Sequence, residues 1–161
     1  MKFLWSADLK IPTVHVRDVV KALHFLCVNG ERGKIYNLAD KNDTNQGKIN
    51  KILECLFGIK TGFQNAVMNG LAKVNFAYTA EVVNDKHLQP WMELCKQHGI
   101  KDTPLTPFID GEVLRDNNLG LDGTAIEKLG FKYDFPMMTP ELVREQIDHF
   151  VAAKQFPPIA K

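Results

Sequence analysis

What this chain lacks narrows its chemistry first. Three cysteines, Cys27, Cys55 and Cys95, are odd in number and far apart, which is no disulfide framework. Cys27 and Cys55 fall in apolar helical patterns and read as reduced core thiols of a cytoplasmic protein, with a single disulfide as the alternative. No apolar run approaches the roughly 20 residues of a membrane span. Met1-Lys2-Phe3-Leu4-Trp5 meets Asp8 and Lys10 before the apolar segment of a signal peptide can develop, so a soluble chain is expected. Charge of one sign is missing too. Against 19 acidic side chains stand 20 basic ones, without a block of either, and no nucleic-acid partner is expected. The five histidines form no H-x-x-x-H or HExxH pattern and the cysteines no CxxC pair, so no metal site is expected. A G-x-S-x-G nucleophile elbow is absent as well.

What is there suits one domain over 1–161, able to bury roughly 70% of its unfolded surface. Organisation starts at Pro12 to Val28. Thr13, Val14 and Val16 are β-branched and end a β segment begun at Lys2. Asp18 then offers a helix cap, and Val19, Leu23, Leu26 and Cys27 share a helical face. A strand passing directly into a helix is the unit of an α/β sheet, whose ligands bind at the carboxyl ends of strands. After a glycine-bounded turn at 29–33, Lys34 to Ala39 reads as a second strand, parallel to the first. Asp43 and Gln46 have capping-box spacing before a stripe of Ile49, Ile52, Leu53 and Leu56 that Gly58 ends.

The middle is helical. Phe63, Ala66, Val67, Gly70, Leu71 and Val74 keep a helix period, and a second helix over Thr79 to His98 is expected to break at Pro90. TPLTP at 103–107 must be extended, a short helix fits Asp110 to Arg115, and Leu119 to Leu121 is a strand candidate. Asp122 is expected to cap a helix closed by Gly130. Thr139-Pro140-Glu141 opens the last helix. Two strands are few for an α/β domain, so the chain reads as part of something larger.

Three motifs stand in order: VHVRDVVKAL at 14–23, KIYNLADKNDT at 34–44 and DGTAIEKLGFKY at 122–133. Together they resemble the C-terminal half of extended short-chain dehydrogenases/reductases, the NAD-dependent epimerase/dehydratase enzymes. The resemblance covers about three quarters of the chain. It implies an α/β, mostly helical portion of a Rossmann-like protein with few parallel strands, and makes 62–118 a helical insertion in the substrate domain. It implies a substrate such as a nucleotide sugar or another small hydroxy or keto compound, and NAD or NADP in the intact protein. The family's glycine-rich nucleotide loop and its Tyr-x-x-x-Lys pair are both missing: Asp40, Val82 and Met137 stand four positions after Tyr36, Tyr78 and Tyr133. No catalytic residue and no bound cofactor are therefore expected of this chain alone. It reads as a carboxyl-terminal part, truncated or a shortened descendant, whose partner is the missing Rossmann half or another protein chain. The alternative is a non-catalytic interaction module derived from that fold.

The candidate substrate contacts are His15, Arg17, Asn37, His87, Trp91 and Arg115. His15 and Arg17 sit at the expected strand end, where a guanidinium suits a carboxylate or phosphate. A backbone-bonded histidine and a solvated arginine are the plainer readings. Asn37 lies on the second strand. His87 and Trp91, four apart, suit an apolar pocket with a polar lip, or else core packing. Arg115 offers one charge to an anionic group.

Overall fold

In the computed structural model, which describes residues 1–160, about half of the chain is helical and one parallel two-stranded sheet is present. The strands are β1 (Lys2–Phe3) and β2 (Gly62–Phe63), with Lys2 opposite Gly62 and Phe3 opposite Phe63. The longer helices are α1 (Val16–Asn29), α2 (Gln46–Phe57), α3 (Ala66–Val74), α4 (Phe76–Gln97) and α7 (Pro140–Ala152). Two single turns, α5 (Gly111–Leu114) and α6 (Thr124–Glu127), lie between α4 and α7. The fold class is α/β; the parallel strands are not the expected ones.

Residues 12–15 and 34–39 form no strand, and Val16 already belongs to α1. The first stretch gives way at once to α1. A neighbouring stretch, 7–13, runs antiparallel to 40–47 through bonds such as Ile11 N to Thr44 O (3.0 Å) and Gln46 N to Leu9 O (2.9 Å). The second stretch alternates as a strand would, Tyr36 and Leu38 turned inward and Ile35 and Asn37 outward, yet the amides of 35–38 pair with no described residue. Leu119 to Leu121 is likewise irregular, with one long bond from Leu119 N to Lys10 O.

Helix ends follow local chemistry, with some roles moved. His15, not Asp18, caps α1: its Nδ1 accepts from the Arg17 amide (3.3 Å). Asp18 lies in the first turn, fully buried, and accepts from the Asp134 and Phe135 amides at 2.8 Å each. Asn45 rather than Asp43 serves α2, its Oδ1 accepting from Lys48 N (2.9 Å), while Asp43 pairs with Lys10. Gly58, at φ 63°, ends α2 as expected. Asn75 closes α3 through its N–H to Leu71 O and caps α4 through its side chain to Tyr78 N. Pro90 does not break α4: the helix passes through it although proline lacks an amide to donate. Asp122, two positions ahead of α6, accepts from Thr124 N, and the helix is shorter than the sequence suggests.

The chain packs as two compact units, each discontinuous in sequence. One comprises Met1–Trp5, Ile52–Asp116 and Pro140–Lys161, and the other Ser6–Lys51 and Asn117–Thr139. The 62–116 part of the expected insertion belongs to the first. The core of the second is Ala22, Ile126 and Phe131, with Phe25, Leu26, Tyr36, Leu38 and Tyr133 packed around them. On α1 the inward residues are thus Asp18, Ala22, Phe25 and Leu26; Leu23 and Cys27, expected on the core face, are exposed. Cys55 is exposed too and Cys95 buried, all three as free thiols. In the first unit Trp5 is buried, its indole N–H donating to Leu114 O (2.7 Å) and its backbone bonded both ways to Asn69.

Candidate functional site

In the second unit, the turn into α1 gathers His15 and Arg17 on one aromatic ring. His15 stacks on Phe135 with centroids 4.1 Å apart and planes 29° from parallel, and the Arg17 guanidinium lies 5.6 Å from the same centroid. Phe135 is held there by its own amide on Asp18, while Lys21 reaches Lys132 O and Asp134 from the next turn of α1. The His15 Nδ1 accepts the cap bond and its ring stacks on Phe135. Asn37 lies on the outward side of the extended 34–39 stretch.

Tyr133 stands beside this segment. Burial pushes its phenol above the ordinary 10.0, and the nearby Ala39 backbone offsets only part of that. Its hydroxyl finds no partner in hydrogen-bonding geometry. A tyrosine acting as acid and base in hydride transfer needs the opposite shift, from a lysine beside it.

The loops at Gly30-Gly33 and Gly58 do not have the form of a pyrophosphate cradle. A pyrophosphate cradle uses free amides at the start of a helix. Gly30 and Gly33 instead follow the carboxyl end of α1, where Gly30 N–H closes onto Leu26 O, and Gly58 follows the end of α2. Carbonyls, not amides, point at these loops.

In the first unit, His87 and Trp91 lie on α4. Trp91 packs against Phe156 with centroids 5.7 Å apart and lines a cavity of about 460 Å³. His87 is not part of its wall, which continues instead to Met92, Cys95, Lys96, Gly99, Ile100, Lys101 and Thr103. Lining positions 91, 92, 95 and 96 recur at helical spacing, a signal that Pro90 obscured. Arg115, just past α5, pairs with Glu112 (2.9 Å) and lies 5.3 Å from the Phe76 centroid. Among the described residues no group of three His, Cys, Asp or Glu side chains could hold a metal, and no helix is long and apolar enough to cross a membrane. No protein-family model, curated protein or solved structure matches the chain.

Proposed function

We propose that the chain is the substrate-binding, carboxyl-terminal part of an NAD(P)-dependent epimerase, dehydratase or reductase of the extended short-chain type, acting in the cytoplasm and inactive by itself. The observation that carries this reading is the stretch 34–39. One side of it, Tyr36 and Leu38, packs on the core, while Ile35 on the other side is 84% exposed. A strand of a parallel sheet is covered on both faces and paired along its edges. A nucleotide-binding half, bringing strands and a covering helix, supplies both. The ordered motifs at 14–23, 34–44 and 122–133 support the same reading, as does the clamp from Asp18 that ties the two residues following the last of them to α1. In the intact protein the substrate is a nucleotide sugar or another small hydroxy or keto compound, and His15, Arg17 and Asn37 are the second unit's contacts to it.

A second reading, a non-catalytic interaction module, is favoured by exposed apolar residues at helical spacing. Val16, Val20 and Leu23 line one side of α1, and Val67, Leu71 and Val74 line one side of α3.

Calorimetric titration of the 161-residue chain with NAD and NADP at millimolar concentration tests the first reading. The expected result is no binding heat, because the cradle is missing. Saturable binding overturns the reading of a part without a nucleotide site. Sequencing of the coding region upstream of Met1 separates the two readings. An in-frame glycine-rich loop followed by Tyr-x-x-x-Lys supports the enzyme part, and an in-frame stop codon supports the module.

A further inference from the structure

The cavity beside Trp91 belongs wholly to the first unit and depends on neither reading above. Its wall is built from Trp91, Met92, the buried Cys95 and Ile100 together with two lysines, Lys96 and Lys101. At about 460 Å³ it lies within the range of sites for small organic ligands, which are mostly apolar with a few placed polar groups.

The polar groups at this wall are nearly all spoken for. The last carbonyls of α4 are closed by His98 N to Leu94 O, Gly99 N to Lys96 O and Ile100 N to Cys95 O. The Thr103 hydroxyl donates to Gln155 O (2.7 Å) and accepts from Leu105 N (3.1 Å). Lys96 and Lys101 are the exceptions. Neither forms an ion pair with a described residue, and no carboxylate lines the cavity. Glu93, the nearest acid along α4, is bonded to Gln89 (3.0 Å). An open, mostly apolar cavity whose lining includes two exposed lysines without an ion-pair partner among the described residues, and no carboxylate, selects a ligand of complementary form.

We infer that this cavity binds a small organic acid, an aromatic body seated against Trp91 with one carboxylate held by Lys96 and Lys101. Trp91 would supply contact area and its ring face, and the two lysines would set the order acid over neutral over cation.

The test compares naphthoate, naphthylmethanol and naphthylmethylamine, which share one ring system and differ in charge. Each is titrated into isotopically labelled 161-residue chain and followed by amide chemical shifts, with calorimetry for affinity. The expected result is saturable binding of naphthoate, weaker binding of the alcohol by about ten-fold or more, and weakest binding of the amine. Shifts should concentrate at 91–103, and added salt should lower only the affinity for the acid. The variant carrying Lys96→Met and Lys101→Met, both exposed positions that leave packing intact, should bring naphthoate down to the affinity of the alcohol. Equal binding of all three compounds overturns the charge selection. Shifts clustered away from 91–103, or no saturation by naphthoate at millimolar concentration, overturns the site itself.

Discussion

Tyr133 is a residue whose ring the core needs and whose hydroxyl it does not. The ring packs edge-on to Phe131 at 5.1 Å, whereas the hydroxyl is buried without a bonded partner. Leaving such a group unpaired costs about 1–3 kcal/mol, so Tyr133→Phe should keep the packing and raise stability by about 1 kcal/mol. The same burial sets a pH dependence. The folded phenol titrates above the ordinary 10.0, so the folded state holds its proton longer than the unfolded chain. The contribution is therefore complete below about pH 10 and is lost as pH rises through the folded value. Urea midpoints measured from neutral to alkaline pH should fall less steeply for Tyr133→Phe than for the natural chain. Equal slopes would mean the hydroxyl is solvated. Asp18 shows why such roles escape a sequence reading. An acid at the start of an apolar helix fits a cap, but the bonds it makes are to amides 116 and 117 positions away. Nothing local in the sequence encodes that distance.

At the scale of elements, helix periods and stop signals were legible: Gly58, the Asp110 turn and Pro140 act where their chemistry says. Which face each helix buries was less so. On α1 apolar residues occupy two sides, and only packing decides that Ala22 and Leu26 turn inward while Leu23 does not. The expected strands failed for a different reason. Alternation at 34–39 is real, but a strand is defined by its partner, and no partner is encoded within these residues. Half of the candidate site was visible in the same way: Trp91 reaches a pocket, and His87 does not join it. In the first unit a side chain stands in for a missing ladder. Asn84, buried on α4, donates from Nδ2 to Ile109 O (2.9 Å) and accepts at Oδ1 from Ile109 N (2.7 Å), as a neighbouring strand would. Asn84→Ala should release the extended segment before α5 and cost about 1–3 kcal/mol. Thermal unfolding reads the loss, and amide exchange at Ile109 should quicken with it. A stability loss with Ile109 still protected would place the cost in the cavity rather than in the two bonds.

For the whole molecule, the question is whether the unpaired extended stretch is a finished loop or one side of an unfinished sheet. The amides of Ile35, Tyr36, Asn37 and Leu38 donate to no described group, whereas those of Asp134 and Phe135 are fixed on a buried carboxylate. In hydrogen exchange of the 161-residue chain, the four should exchange at close to unprotected rates and the two should be slow. The same measurement on a longer chain that carries a nucleotide-binding half separates the readings. If that half completes the sheet, the four amides enter a ladder and become protected by orders of magnitude, while Asp134 and Phe135 hardly change. If 34–39 is a finished loop, the longer chain leaves the four as fast as before. Protection already present in the 161-residue chain would mean that these amides are paired by self-association. The exposed apolar sides of α1 and α3 would then be the first surfaces to substitute with charge.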